Sequence, residues 1–252
     1  MRVSLIQVSS EDELEKNIKK VDKYLNMALE SNPDVIVLPE MFMLYGNSVK
    51  DGIVDMSNIE YYKTFAKNNN VNLVLGSVAL RGEKLPTNTC FVISRNGEIV
   101  SQYDKIHMYK VDREEFKIDE KNAYNPGEML GLAEIDGVRV GIGICFDLRF
   151  PEYFRALMMQ DIKAIFLPSA YRKLTGALTW EPLNKARAIE NQCYMISCNQ
   201  TGELTYGNSM VVSYDGSILG KLDEEEGILV QDIDFSAEEK FRKENPVLDY
   251  IK

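Results

Sequence analysis

Asp34-Val35-Ile36-Val37-Leu38-Pro39-Glu40 is the stretch that decides the fold. Val35, Ile36, Val37 and Leu38 form an apolar run too short for a helix and suited to a strand covered on both faces. Such a strand belongs to a parallel, helix-flanked sheet. Pro39 stops the run and leaves Glu40 just past the strand's carboxyl end, where open α/β sheets place their ligands.

The flanking residues complete a β-α-β unit. Residues 2–8 read as a strand. Residues 11–31 carry Leu14, Ile18, Val21, Leu25 and Ala28 at helical spacing, with acidic residues at the start. The pattern returns in the second half. A helix from about Pro151 to Gln160 leads into Lys163-Ala164-Ile165-Phe166-Leu167, again stopped by proline in Pro168-Ser169. Two strand-Leu-Pro units imply a pseudo-symmetric layered fold. A helix near 57–69 and a strand at 72–77 follow the first unit. Hairpins are predicted over 87–104, around Asn96-Gly97, and over 129–144, around Asp136-Gly137. A helix at 180–192 precedes strands at 194–199, 209–213, 218–221 and 227–233. Residues 105–128 read as irregular and charged, and residues from Ser236 as a short helix and tail. Without a Gly-, Ser- or Pro-rich linker, residues 1–252 read as one α/β domain.

Composition narrows the function. The 252 residues are 45% hydrophobic and 27% charged, as in globular proteins. No run reaches membrane-span length, so no membrane partner is expected. The net charge is −10 with no basic stripe, which argues against a nucleic-acid partner. Cys90, Cys145, Cys193 and Cys198 show no C-x-x-C spacing, so no zinc site is expected. The opening residues lack the apolar core of an export signal, which predicts a cytoplasmic protein with free thiols. His107 is the single histidine. Any imidazole base would have to be that residue, so a carboxylate base is the natural alternative.

Three residues carry candidate chemistry. Cys145 ends a buried strand and begins a turn, where neighbouring N–H groups can face a developing oxyanion; a buried structural cysteine is the bland alternative. Glu40 lies at a strand's carboxyl end, as a ligand-site acid or as a helix cap. Lys105 follows the strand 99–104 and shares a face with His107, as a site cation or as a solvated strand end.

Together these residues stand in the order and setting of the nitrilase superfamily. The chain resembles that family at Leu38-Pro39-Glu40-Met41-Phe42, at Tyr103-Asp104-Lys105-Ile106-His107 and at Gly141-Ile142-Gly143-Ile144-Cys145-Phe146-Asp147-Leu148-Arg149-Phe150-Pro151-Glu152. Tyr124-Asn125-Pro126-Gly127 and Lys185-Ala186-Arg187-Ala188-Ile189-Glu190-Asn191 extend the likeness over essentially the whole chain. The resemblance implies a four-layer α-β-β-α sandwich of the carbon–nitrogen hydrolase type, assembled as a homodimer. It also implies a cysteine-dependent amidase needing no metal or organic cofactor. Cys145 would be the nucleophile, Glu40 the general base and Lys105 the cation over the reacting carbonyl, with a thioester intermediate. A second glutamate is implied as well. Its position before Pro126-Gly127 selects Glu120, with Glu114 and Glu115 as neighbouring rivals.

The substrate reading rests on a branch of that family. Thr175-Gly176 before Trp180, and Phe241-Arg242-Lys243-Glu244-Asn245-Pro246-Val247, resemble the omega-amidase branch, which hydrolyses dicarboxylic acid monoamides such as 2-oxoglutaramate. An arginine fork suits the far carboxylate of such a small-molecule amide. Arg172 is the candidate clamp, Lys173 its rival, and Tyr45, Phe146 and Tyr171 are candidate wall residues. Arg149 and Glu152 are read as braces for the loop after Cys145, and Arg187 with Glu190 as a structural helix pair. Alternatives are a carbamoyl amide, deaminated peptide or nitrile substrate, acyl transfer to an amine, or a non-catalytic binding protein on the same fold.

Overall fold

The computed structural model describes residues 1–45, 53–114 and 116–251. Its strands run in chain order β1 (Arg2–Gln7), β2 (Val35–Val37), β3 (Ile53–Val54), β4 (Asn72–Val74), β5 (Val78–Leu80), β6 (Thr87–Ile93), β7 (Ile99–Asp104), β8 (Lys110–Asp112) and β9 (Lys117–Asp119). They continue as β10 (Gly131–Ile135), β11 (Val138–Ile142), β12 (Ala164–Ser169), β13 (Tyr194–Asn199), β14 (Met210–Val212), β15 (Ile218–Lys221) and β16 (Gly227–Asp232). The principal helices are α1 (Leu14–Leu29), α2 (Met56–Asn69), α3 (Pro151–Met158), α4 (Lys173–Gly176), α5 (Trp180–Asn191) and α6 (Phe235–Glu244).

Two sheets form. One has the order β16-β1-β2-β4-β6-β5-β3, with β7 also paired to β6; the other has the order β10-β11-β12-β13-β14-β15. Each has a parallel centre, β1-β2-β4 in the first and β11-β12-β13 in the second. The two strand-Leu-Pro units therefore occupy corresponding places, as their sequences predict.

Alternation along the strands sorts the layers. Ile6, Ile36, Leu73 and Phe91 face one way and pack with Val21, Leu25, Ile59 and Tyr62 of α1 and α2. Val3, Leu5, Val35, Val37 and Val92 face the other way and share a core with Val140, Ile142 and Phe166 of the second sheet. Helices α3 and α5 cover that sheet's outer side through Leu157, Trp180 and Ala188. The architecture is the α-β-β-α sandwich. Gly141 is what lets α3 close down: a Cβ there would lie 3.1 Å from Leu157 Cδ1. The chain after Ser236 packs back on itself, with Arg242 donating to the carbonyls of Gln192 and Ile162 at 2.9 and 3.0 Å. No helix among the described residues is long and apolar enough to cross a membrane.

The short strands β3 and β5 were not expected, and one longer region differs as well. The stretch read as irregular contains the two-stranded hairpin β8-β9. Lys110-Val111-Asp112 lies opposite Lys117-Ile118-Asp119, so that Lys110 meets Asp119 at 2.9 Å and Lys117 meets Asp112 at 2.7 Å. Each strand is only three residues long and largely exposed, so no apolar periodicity announces it.

The fold fixes the turn after β2 from several sides. Gln200 Nε2 donates to the carbonyls of Glu40 and Met41, Ser10 Oγ to that of Phe42 and Asn17 Nδ2 to that of Met43. Gly76, at φ +49°, lies so close that a Cβ there would sit 2.0 Å from the Pro39 carbonyl oxygen. Gly76→Ala is therefore expected to cost about 2–4 kcal/mol and to displace Glu40. A urea midpoint equal to that of the unaltered protein would show instead that the turn can yield.

Candidate active site

The two Leu-Pro units meet at the carboxyl ends of β2 and β12. There the Ala170 N–H donates to Glu40 Oε2 at 2.8 Å, joining the sheets through one carboxylate. Glu40 Oε1 accepts from Asn88 Nδ2 at 2.8 Å and Lys105 Nζ at 2.9 Å. Burial would favour the neutral acid. The Lys105 charge and the hydrogen bonds from Lys105, Cys145 and Asn88 outweigh it and hold the Glu40 carboxyl below its ordinary range.

Lys105 has no exposed surface. Its backbone is pinned on both sides: its N–H donates to the Asn88 carbonyl and its carbonyl accepts from the Gly127 N–H, each at 2.9 Å. Its Nζ lies 2.9 Å from Glu40 Oε1 and 3.0 Å from Glu120 Oε2. Burial opposes the charge, but Glu120 and Glu40 raise the ammonium well above the usual lysine value. Glu120 is aimed by the feet of the β8-β9 hairpin. Its Oε2 also accepts from the Tyr109 N–H at 2.7 Å, and its own N–H donates to the Tyr109 carbonyl at 2.9 Å. Of its rivals, Glu114 is exposed and Glu115 lies outside the described residues.

Cys145 follows β11 and opens a 3-10 turn through Arg149, with φ +46°. A non-glycine residue in this left-handed region is strained and needs support. Asp147 supplies it. Its Oδ2 accepts from the Ile144 N–H at 2.8 Å and the Tyr103 hydroxyl at 2.7 Å. Its Oδ1 accepts from the His107 N–H at 3.1 Å and lies 2.7 Å from His107 Nδ1. His107 in turn stacks on Phe150 at 3.7 Å between ring centroids. From behind, Arg187 Nε donates to the Leu148 carbonyl and Nη1 pairs with Glu190 at 3.0 Å, in keeping with a structural reading of that pair. Burial first, then the Glu40 charge, pushes the Cys145 thiol well above its usual value, with Lys105 opposing. The resting arrangement is thus a thiol against a carboxylate that is itself paired with an ammonium.

These groups open into a pocket of about 680 Å³ lined by Glu40, Lys117, Glu120, Cys145 and Arg149 together with Tyr45, Phe146, Tyr171 and Arg172. All four substrate-binding candidates therefore border it. Burial pushes the Tyr45 hydroxyl up to about 12 against the pull of Arg172, so it stays a neutral donor. Lys173 pairs with Glu224 at 2.7 Å and is not part of the lining. Arg149 does double duty. It braces the loop through Thr175 and Thr179, and it also faces the pocket over the rings of Tyr171 and Phe146, 5.6 and 6.0 Å from their centroids. Glu152 is exposed. Among the described residues no three His, Cys, Asp or Glu side chains gather in a metal-holding cluster.

Sequence reasoning missed Asn88, Asp147 and the pocket face of Arg149. Only Asp147 left a signal, as an acid between Phe146 and Leu148 immediately after the candidate nucleophile.

A family model described as carbon-nitrogen hydrolase matches residues 2–243. The chain is 33% identical over 273 residues to a Dictyostelium discoideum protein named deaminated glutathione amidase, covering 100% of this chain and 94% of that one. It is 33% identical over 245 residues to 2-oxoglutaramate amidase of Bacillus subtilis (strain 168), covering 94% and 92%. Among solved structures, XC1258 from Xanthomonas campestris superposes with a TM-score of 0.89 at 26% identity, covering 100% of this chain and 97% of that one. That structure is described as a CN-hydrolase superfamily protein with an arsenic adduct in the active site.

Asp147→Asn would turn an amide nitrogen towards the Ile144 N–H on one side or the His107 N–H on the other, each a donor. It is expected to lose about 2–4 kcal/mol of stability, read as a lowered urea midpoint. A midpoint unchanged within error would show that the turn at Cys145 does not depend on this carboxylate.

Proposed function

This chain belongs to the carbon–nitrogen hydrolase family, and we propose that it is an amidase of the omega-amidase type, releasing ammonia from dicarboxylic acid monoamides such as 2-oxoglutaramate. The observation that carries the chemistry is the line from half-buried Glu120 through buried Lys105 and Glu40 to the Cys145 thiol.

Glu40 takes the thiol proton as sulfur attacks the amide carbon. The oxyanion forms beside Lys105 and the Phe146 N–H, which has no backbone acceptor among the described residues. Such a donor is worth about a hundred- to a thousand-fold in rate. Glu40 then passes the proton to the departing nitrogen, ammonia leaves and a thioester remains. Water, deprotonated by Glu40, attacks that thioester and the acid is released with the thiol restored. Glu120 keeps Lys105 charged and directed.

The substrate reading is supported by Arg172. Arg172 lines the same pocket as Glu40, Cys145 and Glu120, so the arginine and the reacting groups border one chamber. A carboxylate at the far end of the amide would be held by Arg172, with Tyr45, Phe146 and Tyr171 as walls. A second reading, a longer deaminated peptide amide, is favoured by the likeness to the Dictyostelium protein and by a pocket large enough for one. We further read residues 1–252 as one domain acting as a cytoplasmic homodimer. Four free cysteines support a reducing compartment.

Purified protein should release ammonia from 2-oxoglutaramate and succinamate, and Cys145→Ala should not. Arg172→Ala should raise KM for these dianion-forming amides tenfold or more with a smaller change in kcat, as expected for a lost charged hydrogen bond of about 1.5–3 kcal/mol. Equal turnover of a neutral amide would overturn the substrate reading and keep the chemistry. Light scattering should give the mass of two chains rather than one of 28.7 kDa.

A further inference from the structure

We propose that Asn88 is a positioning residue for the reaction, holding the Glu40 carboxylate ionised and oriented throughout the cycle. This rests on reading Glu40 as the base. Asn88 stands in the middle of the first sheet, paired with Ala79 across β5 and β6, and has no exposed surface. Asparagine is a poor strand former, and burying its amide is unfavourable unless both ends are paired. Only one end is. Nδ2 donates to Glu40 Oε1 at 2.8 Å, whereas Oδ1 is buried with no partner among the described residues. An unfavourable residue at an unfavourable place, half satisfied, is explained by what its one donor does.

The orientation of the amide follows from the carboxylate. Turned over, Asn88 would set oxygen against oxygen at Glu40 and send its NH2 where no acceptor waits. The side chain therefore favours the ionised form of Glu40 over the acid. Its backbone serves the same site, because the Asn88 carbonyl accepts the Lys105 N–H at 2.9 Å. One residue thus sets the spacing between base and cation.

Asn88 differs from Lys105 in a way that matters during turnover. Both donate to Glu40 Oε1. The Lys105 charge is drawn to the oxyanion as it forms, which loosens its hold on Glu40. Asn88 is neutral, so a developing negative charge pulls on it far less than on the Lys105 ammonium. It is the constant partner of the base. Its hydrogen bond is among the causes that keep the Glu40 carboxyl low despite burial.

Removing this donor should raise the pH at which Glu40 takes up a proton. The test is the rate of Cys145 alkylation by iodoacetamide as a function of pH, which needs no knowledge of the natural substrate. Glu40→Gln should remove the limb set by Glu40 and leave only the alkaline rise of the thiol's own ionisation. Asn88→Ala should move the Glu40 limb up by one pH unit or more, which is tenfold slower alkylation at pH values below it. Asn88→Leu keeps the volume without a donor, so the limb should move the same way. Circular dichroism melts identify folded variants, and if Asn88→Ala does not fold the Leu variant decides. An unmoved limb in folded Asn88→Leu overturns the inference while Glu40 stands as base. A limb that stays at the same pH in Glu40→Gln overturns the base assignment and this inference with it.

Discussion

A lysine with no exposed surface cannot hold its charge in a protein interior alone. Lys105 does so because Glu40 and Glu120 each bring an oxygen within about 3 Å. Every part of the molecule that matters for chemistry can be traced to this requirement. Glu40 comes from the end of β2, Lys105 from the end of β7 and Glu120 from the foot of a small hairpin. Three separated segments must arrive together, or a buried charge is left uncompensated. The Cys145 thiol is added at the edge of this cluster, against the ionised Glu40 carboxylate.

The sandwich is what brings those ends together. Parallel strands release their chains at one edge of a sheet, and two sheets packed face to face put two such edges side by side. The first sheet contributes Glu40 and the second contributes Cys145 and the Ala170 N–H. The hydrogen bond from Ala170 to Glu40 records that junction, together with those from Gln200 to the Glu40 and Met41 carbonyls. The glycines serve the same end. Gly76 lets β4 turn under Pro39, and Gly141 lets α3 pack close behind the strand that carries Cys145.

Much of this was legible in the sequence where burial is two-sided. Asp34–Leu38 and Lys163–Leu167 announced parallel strands, and Asn96-Gly97 and Asp136-Gly137 announced hairpins that form as read; proline marked the stop only in the first, since β12 stays paired with β13 through Pro168 to Ser169. The β8-β9 hairpin was not legible, because exposed three-residue strands held by crossed Lys–Asp pairs have no core-facing period. The site shows the same division. Glu40, Lys105 and Cys145 are marked by residue type and by place at strand ends, whereas Glu120, in a stretch read as irregular, was reached only through the family resemblance. Asn88 and Asp147 act by hydrogen bonds to partners 48 and 40 residues away, and no local pattern reports such partners. Arg172 against Lys173 was likewise a matter of direction: adjacent residues leave the backbone differently, one to the pocket and one to Glu224.

The charge balance of the site bears on where an anion in the pocket could be held. Two carboxyls and one ammonium leave the reacting end with no cation to spare for a substrate carboxylate, and Glu11 and Asp12 add acids to the lining. An anionic substrate must therefore be neutralised elsewhere. The pocket provides cations from other segments: Arg172 at the start of α4, Arg149 on the turn after Cys145 and Lys117 on the β8-β9 hairpin. Glu40 and Lys105 follow strand ends, whereas Arg172 stands at a helix start, Lys117 on a hairpin and Arg149 on the turn that Cys145 opens. The hairpin links the two, because its feet aim Glu120 at Lys105 while Lys117 and Ile118 line the chamber. A change in how that hairpin packs would reach the lysine through one carboxylate, which makes the outer wall of the pocket part of the electrostatics of its floor.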